Sequence, residues 1–325
     1  MYKPASKQAW KGRTDAHDEE LEYRWHQVIK FLDLSGEVPP VPDTKIAFVF
    51  LGFCCDEGVR RNQGRTGAVD GPASLRSAMA SFAHHLPSKV MLYDAGDVLC
   101  TNQNLEEAQE QLGRKVAVLL QHGYRPLVLG GGHEIAFGHF LGLEQATVKQ
   151  RLGILNFDAH FDLRSYARQS SSGTPFLQIA DKLHEQGKEF VYNCIGIQQQ
   201  GNTRILFHTA EKLQVQYTFA EQAQGHHTFP VLQEQLQVWL EQVEAVYLTI
   251  DLDVFSAAYA PGVSAVNVLG LQPGIVLQLL QQVAASGKLL SLDVAELNPA
   301  FDTDNRTAKL AAGLLYHAVS EWAKV

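Results

Sequence analysis

The sequence predicts an α/β fold in which a parallel β-sheet carries helices on both faces. Short apolar runs typical of buried strands alternate with longer amphipathic runs typical of helices, about eight times over 325 residues. Neither a low-complexity linker nor an internal repeat divides the chain. We therefore expect one large domain, residues 45–325, after an N-terminal lead-in, residues 1–44.

Eight runs are predicted as strands because each is short, apolar and bounded by turn residues or charged residues. They are Lys45–Gly52, Val90–Tyr93, Pro126–Leu129, Gly153–Phe157, Phe190–Ile195, Val215–Phe219, Ala245–Ile250 and Leu289–Val294.

Amphipathic runs between the strands are predicted as helices. The first, for example, begins with Asn104, which can cap a helix, and has acidic residues in its first turn. A further helix and a proline-rich connection are expected in the lead-in. The predicted helices are Asp18–Leu34, Asn104–Gln121, Pro230–Val243, Pro273–Ala285 and Asn305–Ala323.

Composition narrows the class of protein. A net charge of −8 without a block of Lys and Arg argues against nucleic acid or an anionic membrane as a partner. The N-terminus is polar, and the longest apolar run, Ile46–Cys55, is about half the ~18 residues that suggest a membrane span. Four cysteines in so long a chain predict free thiols and a cytoplasmic protein.

Three predicted strands are followed directly by residues of the types that bind metal ions. The sequences are GGGHE after Pro126–Leu129, DAHFD after Gly153–Phe157 and DLD after Ala245–Ile250. Ligand sites in open parallel sheets form beyond the carboxyl ends of strands, and alternate side chains of extended backbone share a face. We therefore expect six side chains to converge: His133, Asp158, His160, Asp162, Asp251 and Asp253.

This set predicts a site for two metal ions. Four carboxylates crowded together would repel one another and take up protons unless divalent cations cancelled their charge. Oxygen ligands with some imidazole suit Mn²⁺, and Zn²⁺, Fe²⁺, Co²⁺ and Ni²⁺ are also compatible. Two such ions can share a hydroxide nucleophile at neutral pH.

Two alternatives remain open at this point. TIDLDVF alone resembles the nucleophile motif of haloacid-dehalogenase-type phosphatases, in which Asp251 would be the nucleophile and Mg²⁺ the cofactor. That motif usually stands early in its fold, whereas Asp251 stands late in this chain. The other alternative is a metal-binding scaffold without catalytic activity.

The motifs GGGHE, NFDAHFD, TIDLDVF and SLDVAELNP together resemble those of the ureohydrolase (arginase) family, from about Val41 to the C-terminus. The resemblance implies a three-layer α/β/α fold around an eight-stranded parallel sheet, two Mn²⁺ ions per subunit and a homo-oligomer. It also implies ligand sets. One ion would be bound by His133, Asp158, Asp162 and Asp251, and the other by Asp158, His160, Asp251 and Asp253.

The resemblance assigns two catalytic residues. Asp162 would hydrogen-bond the bridging hydroxide and pass its proton to the leaving nitrogen, and Glu296 would pair with the cationic C–N group of the substrate. The loop histidine of arginases is absent, since no His lies between His160 and His184. This absence counts against arginine as the substrate.

The segment from Gly52 to Arg65 resembles the formimidoylglutamase branch of the family. Arg164, which follows DAHFD, would repel an α-ammonium group and attract a carboxylate. The candidate substrate-binding residues are Arg164, Ser172, Arg60 and Asn62, with Arg61 and Arg65 as further candidates.

The resemblance thus implies hydrolysis of a small molecule, N-formimidoyl-L-glutamate, to L-glutamate and formamide, a step of histidine degradation. The alternatives within the family are an agmatinase, a guanidino-acid hydrolase and an arginase.

Overall fold

A computed structural model describes residues 1–15, 20–146, 151–225 and 227–325. Ten strands form one sheet. They are β1 (Tyr2–Lys3), β2 (Lys30–Phe31), β3 (Ile46–Cys54), β4 (Val90–Leu99), β5 (Tyr124–Leu129), β6 (Leu152–Phe157), β7 (Val191–Ile197), β8 (Gln216–Phe219), β9 (Ala245–Asp251) and β10 (Leu289–Ala295).

The strand order is β1-β4-β3-β5-β10-β9-β6-β7-β8, and β2 pairs with β4. Every pairing is parallel except that of β1 with β4. The predicted α/β fold is confirmed, and the eight predicted strands are β3 to β10. Two short strands that the sequence analysis missed, β1 and β2, extend the sheet at β4.

Helices cover both faces of the sheet. They are α1 (Trp25–Val28), α2 (Glu57–Arg61), α3 (Gly71–Met79), α4 (Leu105–Gln121), α5 (Ile135–Ala146), α6 (Pro175–Glu185), α7 (Arg204–Lys212), α8 (Ala220–Ala223), α9 (Phe229–Glu241), α10 (Pro273–Ala285) and α11 (Arg306–Trp322). Alternate residues of β3 belong to different apolar clusters: Phe48 and Phe50 to one, Val49 and Leu51 to the other. The sheet is therefore buried on both faces.

The helix predicted over Asp18–Leu34 is confirmed only in part: the described residues form a 3₁₀ turn, Glu20–Glu22, and the short helix α1, and Asp18 itself lies outside them. After α1 the chain becomes extended, and the Leu32 amide donates to the Asp94 carbonyl at 2.9 Å. Trp25 is fully buried, with its ring centroid 5.9 Å from that of Phe50. Pairing with β4 and burial of the Trp25 ring outweigh the helical preference of this segment.

Two further findings bear on the composition. All four cysteines are free thiols. Among the described residues, no helix has the length and apolar character needed to cross a membrane.

Candidate metal centre and active site

The candidate ligands lie at the carboxyl ends of four adjacent strands. β5, β10, β9 and β6 are neighbours in the sheet, in that order. His133 follows β5, Glu296 follows β10, Asp251 ends β9, and Asp158 follows β6. The sheet order therefore brings together motifs that are far apart in the chain.

The first group of ligand atoms surrounds the imidazole of His133. Its Nδ1 atom lies 3.1 Å from Asp158 Oδ2, 2.9 Å from Asp162 Oδ2 and 3.2 Å from Asp251 Oδ2. The ligand atoms of these four residues all lie within 4.8 Å of one another. Their composition is the one expected for the first ion.

The second group consists of Asp158, His160 and Asp253. His160 Nδ1 lies 3.0 Å from Asp253 Oδ2 and 3.6 Å from Asp158 Oδ1. Asp158 belongs to both groups, which is the arrangement expected of a bridging carboxylate. Asp251 belongs to the first group only, and its Oδ1 atom accepts a hydrogen bond from the Asp253 amide at 2.8 Å.

The ligands converge as predicted, but extended backbone is not the reason. The His160 amide donates to Asp158 Oδ1 at 2.7 Å, so the DAHFD segment turns at once after β6. Asp162 has a left-handed backbone with a φ of 48°. Asp253 lies in a 3₁₀ turn, Leu252–Val254. Turns, and not strand alternation, aim these side chains.

Two glycines allow the loop before His133 to pack closely. A Cβ atom on Gly131 would lie 1.7 Å from the Cys55 carbonyl oxygen, and one on Gly130 would lie 2.3 Å from that of Val294. Backbone cannot yield at such distances, so side chains are excluded at both positions. The loop holds the His133 backbone close to the ends of β3 and β10.

Polar residues below the site, which the sequence analysis missed, orient the ligands. His133 Nε2 lies 3.0 Å from Thr249 Oγ1, and that hydroxyl donates to Asp293 Oδ1 at 2.5 Å. Thr249 therefore accepts the Nε2 proton, which leaves the Nδ1 lone pair for an ion. Asn156 donates to Asp158 Oδ2 at 3.0 Å. Thr249 and Asn156 each stand two residues before a ligand Asp, a spacing that could have revealed them.

Asn202 is a further residue that the sequence analysis missed. Its amide nitrogen donates to the carbonyls of Ala159 at 2.9 Å and Gln198 at 2.8 Å, and its oxygen accepts from the Phe161 amide at 3.0 Å. Asn202 thus fixes the backbone on both sides of His160. Its motif, GNT after β7, carries no signal of this role by itself.

The electrostatics of the groups fit a pair of divalent cations. Burial, together with the neighbouring carboxylates, raises the pKa of Asp251 well above its usual range and that of Asp162 to about 6. Carboxylates in such surroundings need a compensating positive charge in order to ionise. Buried carboxylate oxygens and imidazole nitrogens, shared between two adjoining groups, are a suitable donor set for two such ions.

A cavity of about 170 Å³ opens above these ligands. Its walls include three of the predicted substrate-binding residues, Arg164, Ser172 and Asn62, together with Ser264 and Asn202. Among the residues that the structure describes, the Arg164 side chain has no hydrogen-bond or ion-pair partner. Its guanidinium is therefore free to bind an anion.

Glu296 lies in the same cavity and is 3% exposed. Its Oε1 atom accepts a hydrogen bond from the His133 amide at 2.9 Å, whereas Oε2 is buried and has no partner within hydrogen-bond geometry among the described residues. Burial raises the pKa of this carboxyl to about 7. A buried, unpaired carboxylate oxygen beside the metal ligands is suited to a cationic or hydrogen-bond-donating group of a substrate.

Arg60, predicted as a substrate-binding residue, does not line this cavity. Its side chain is 52% exposed and pairs with Glu57 at 2.6 Å. Arg65 also has protein partners, since it donates to the carbonyls of Val263 and Ser264 at 2.5 and 3.1 Å. Both guanidiniums already bond to protein groups and neither lines the cavity, so we leave Arg60 and Arg65 out of the substrate-binding set.

The arginase family model matches residues 46–320. Formimidoylglutamase from Clostridium tetani is 42% identical over 100% of this chain and 97% of its own length. Formimidoylglutamase from Rhodococcus opacus is 47% identical over 96% and 95%.

Solved structures agree with the sequence relatives. Formimidoylglutamase from Bacillus subtilis superposes with a TM-score of 0.82 at 21% identity, covering 95% of this chain and 94% of its own, and this likeness supports the fold alone. Trypanosoma cruzi formiminoglutamase with two Mn²⁺ ions has a TM-score of 0.77 at 26% identity, covering 86% and 94%. The chain therefore belongs to the arginase family, as one of its hydrolases.

Proposed function

We propose that this chain is a formimidoylglutamase that hydrolyses N-formimidoyl-L-glutamate to L-glutamate and formamide. The observation that carries the proposal is the charge distribution of the cavity. A free guanidinium, Arg164, lies on one wall, and the carboxylate of Glu296 and the metal ligands lie at the floor. The proposed substrate has two carboxylates and one cationic formimidoyl group, and curated relatives at 42–47% identity are named for this activity.

Two Mn²⁺ ions are part of the proposal, because the T. cruzi relative was crystallised with them. His133, Asp158, Asp162 and Asp251 would hold one ion, and Asp158, His160 and Asp253 the other, so that Asp158 is shared between them. Such ions, when bound, supply Lewis acidity and lower the pKa of water so that hydroxide is available at neutral pH.

The side chains of the protein then bind and orient the substrate. The free Oε2 of Glu296 would accept a hydrogen bond from the formimidoyl nitrogen. Arg164, with the Asn62 amide and the Ser172 hydroxyl, would bind a carboxylate at the other end of the molecule. These contacts would hold the formimidoyl carbon above the metal ligands.

The proposed reaction balances with water alone. The oxygen of water bonds to the formimidoyl carbon, and the bond from that carbon to the α-nitrogen of glutamate breaks. The carbon leaves as formamide. The α-nitrogen takes up a proton, which Asp162 would deliver, and becomes the amine of L-glutamate.

A substrate panel tests the proposal. Purified protein loaded with Mn²⁺ is assayed on N-formimidoyl-L-glutamate, arginine, agmatine and 4-guanidinobutyrate, with metal content measured on the same sample. We expect formamide and glutamate from the first substrate and little urea from the others. Robust urea release from arginine, without turnover of N-formimidoyl-L-glutamate, would overturn the proposal.

The metal assignment has its own test. We expect His160→Ala to lower the bound metal from two ions to one and to abolish activity. If this variant retained both ions and full activity with Mg²⁺ alone, a mechanism with an Asp251 nucleophile would be favoured instead.

The proposed histidine-degradation role predicts growth on histidine that depends on the gene for this chain. A homo-oligomer is also proposed, and light scattering measures it.

A further inference from the structure

Arg61 is a buried arginine next to the active site that does not reach into it. Its side chain is 7% exposed, and Arg61 is not among the residues that line the cavity. A buried guanidinium is costly unless its donors are paired. The partners of Arg61 are therefore informative.

One guanidinium joins three separate segments. Arg61 Nε donates to Glu57 Oε1 at 2.9 Å within α2. Its NH1 group donates to Glu106 Oε1 at 2.6 Å, at the start of α4. The same group donates to the Ser170 carbonyl at 3.3 Å and to the Ser170 hydroxyl oxygen at 3.2 Å. The Ser170 hydroxyl in turn donates to Glu106 Oε1 at 2.6 Å, which closes the network.

Ser170 begins the loop that forms one wall of the cavity. The loop continues through Ser172 to Gly173, whose carbonyl accepts a hydrogen bond from the Arg164 amide at 2.9 Å. A Cβ atom on Gly173 would lie 2.8 Å from Arg164 Cδ and 3.2 Å from Asn62 Nδ2, so both side chains pack on this glycine. Asn62 directly follows Arg61 in the chain.

Arg61 therefore joins the segments that carry Asn62 and Ser172, and the second of these bonds to the Arg164 backbone through Gly173. Asn62, Arg164 and Ser172 are the three polar side chains of the carboxylate-binding wall. We infer that Arg61 is a positioning residue that sets the spacing of this wall and thereby determines affinity for the carboxylate end of the substrate. The inference rests on the proposed function for its substrate. It differs from that proposal because Arg61 itself contacts no substrate.

The planar shape of the guanidinium is essential to this role. Its donors point in fixed directions toward Glu57, Glu106 and Ser170, and a lysine ammonium cannot span three such partners. Arg60 offers a matched control. It is the adjacent residue and shares the partner Glu57, but its side chain is 52% exposed and lies outside the cavity.

The test compares Arg61→Lys with Arg60→Lys, both loaded with Mn²⁺. For Arg61→Lys we expect KM for N-formimidoyl-L-glutamate to rise roughly 10-fold or more, with kcat within about threefold. Metal content should stay at the wild-type value. Ser170→Ala, a milder change in the same network, should raise KM roughly threefold, and Arg60→Lys should leave both constants unchanged.

A substrate without carboxylates separates positioning from general damage. N-methylformamidine has the same scissile bond, and its kcat/KM should be equal in wild type and Arg61→Lys. An unchanged KM for the dicarboxylate in Arg61→Lys would overturn the inference. Equal losses on both substrates would also overturn it, because they would indicate a general structural defect.

If the wild type does not hydrolyse N-formimidoyl-L-glutamate, the proposed function fails, but the role of Arg61 can still be tested by a second measurement. Hydrogen exchange of the amides of residues 170–174, followed by mass spectrometry, reports directly on the loop. We expect faster exchange in Arg61→Lys but not in Arg60→Lys. Equal exchange in the two variants would show that Arg61 does not position the wall.

Discussion

Removal of divalent ions should destabilise this protein, and the effect should grow as the pH rises. In the metal-free state, four carboxylates and the His133 imidazole remain buried around one small space, and the His160 imidazole lies beside them with 24% of its side chain exposed. Whatever positive charge the imidazoles supply by protonation is lost at higher pH. Bound ions supply a positive charge that does not depend on protonation, although protons compete for the ligands in acid.

The raised pKa of Asp162 gives the approximate size of this loss of stability. Burial raises its pKa from 3.8 to about 6, which corresponds to ~3 kcal/mol of lost stability once the group is ionised. A carboxyl whose pKa is raised by folding does not lower the free energy of unfolding when the pH is below its unfolded-state pKa. It lowers that free energy by the full amount when the pH is above its folded-state pKa. About half of the ~3 kcal/mol is therefore already present at pH 5 and the rest by pH 7.

The imidazoles act in the same direction. Burial opposes their protonation, but the surrounding carboxylates raise the pKa of both His133 and His160 well above the usual range. The stability that comes from their protonated forms is present below their ordinary pKa and is lost as the pH rises through the raised value. The metal-free protein should accordingly be less stable at pH 8 than at pH 5.

Calorimetry of chelator-treated protein measures the effect. Each ion at 100 times its Kd adds ~2.7 kcal/mol, so two ions should raise Tm by roughly 10 °C at pH 8 and by less at pH 5. Asp158→Asn removes the ligand shared by both groups and should abolish the rise, whereas Asp181→Asn, outside the site, should keep it. A rise that is larger at pH 5 than at pH 8, or that persists in Asp158→Asn, would refute the reasoning.

Three further variants test other parts of the site. Glu296→Gln keeps an oxygen that accepts from the His133 amide but loses the negative charge that would pair with the substrate. We expect kcat to fall roughly 100-fold with unchanged metal content, and a normal kcat would contradict this pairing. Arg164→Met should raise KM for N-formimidoyl-L-glutamate roughly 10- to 100-fold with kcat nearly unchanged, as steady-state kinetics would measure. Arg61 lowers the pKa of Glu106 to about 2. As the pH falls from 4.5 to 2, the wild type should therefore lose stability that Glu106→Gln does not lose, as urea unfolding would measure. Parallel pH profiles of the two proteins would argue against this ion pair.

The fold and the ligand set could be predicted from the sequence because both depend on short-range patterns. Apolar runs locate β3 to β10, and the carboxyl end of a parallel strand is where ligands lie. The order of the strands in the sheet could not be predicted from these short-range patterns. The chain order β5, β6, β9, β10 becomes the sheet order β5, β10, β9, β6, and this rearrangement brings the Glu296 backbone amide to 2.8 Å from the Gly131 carbonyl.

The arginines near the first strand end show the limit of local patterns. Arg60, Arg61 and Arg65 lie within six residues of one another and look equivalent in the sequence. Their partners among the described residues separate them: Glu57 alone for Arg60, a network that includes Glu106 and Ser170 for Arg61, and the carbonyls of Val263 and Ser264 for Arg65. These partners lie as many as 199 residues away, so only tertiary structure decides which guanidinium is free.

Backbone strain at two acidic residues supports their assignment to chemistry. Asp162 and Glu296 have φ values of 48° and 69°, a region that residues other than glycine occupy at a cost of about 1–3 kcal/mol. Glycine would satisfy the backbone at either position without this cost. A carboxylate is present instead, and in each case it points into the cavity beside the metal ligands. Neighbouring contacts hold both conformations, because the Asp162 carbonyl accepts from the Phe176 amide and the Glu296 amide donates to Gly131. At both positions this backbone conformation directs a carboxylate toward the space where a cationic substrate and two ions would meet.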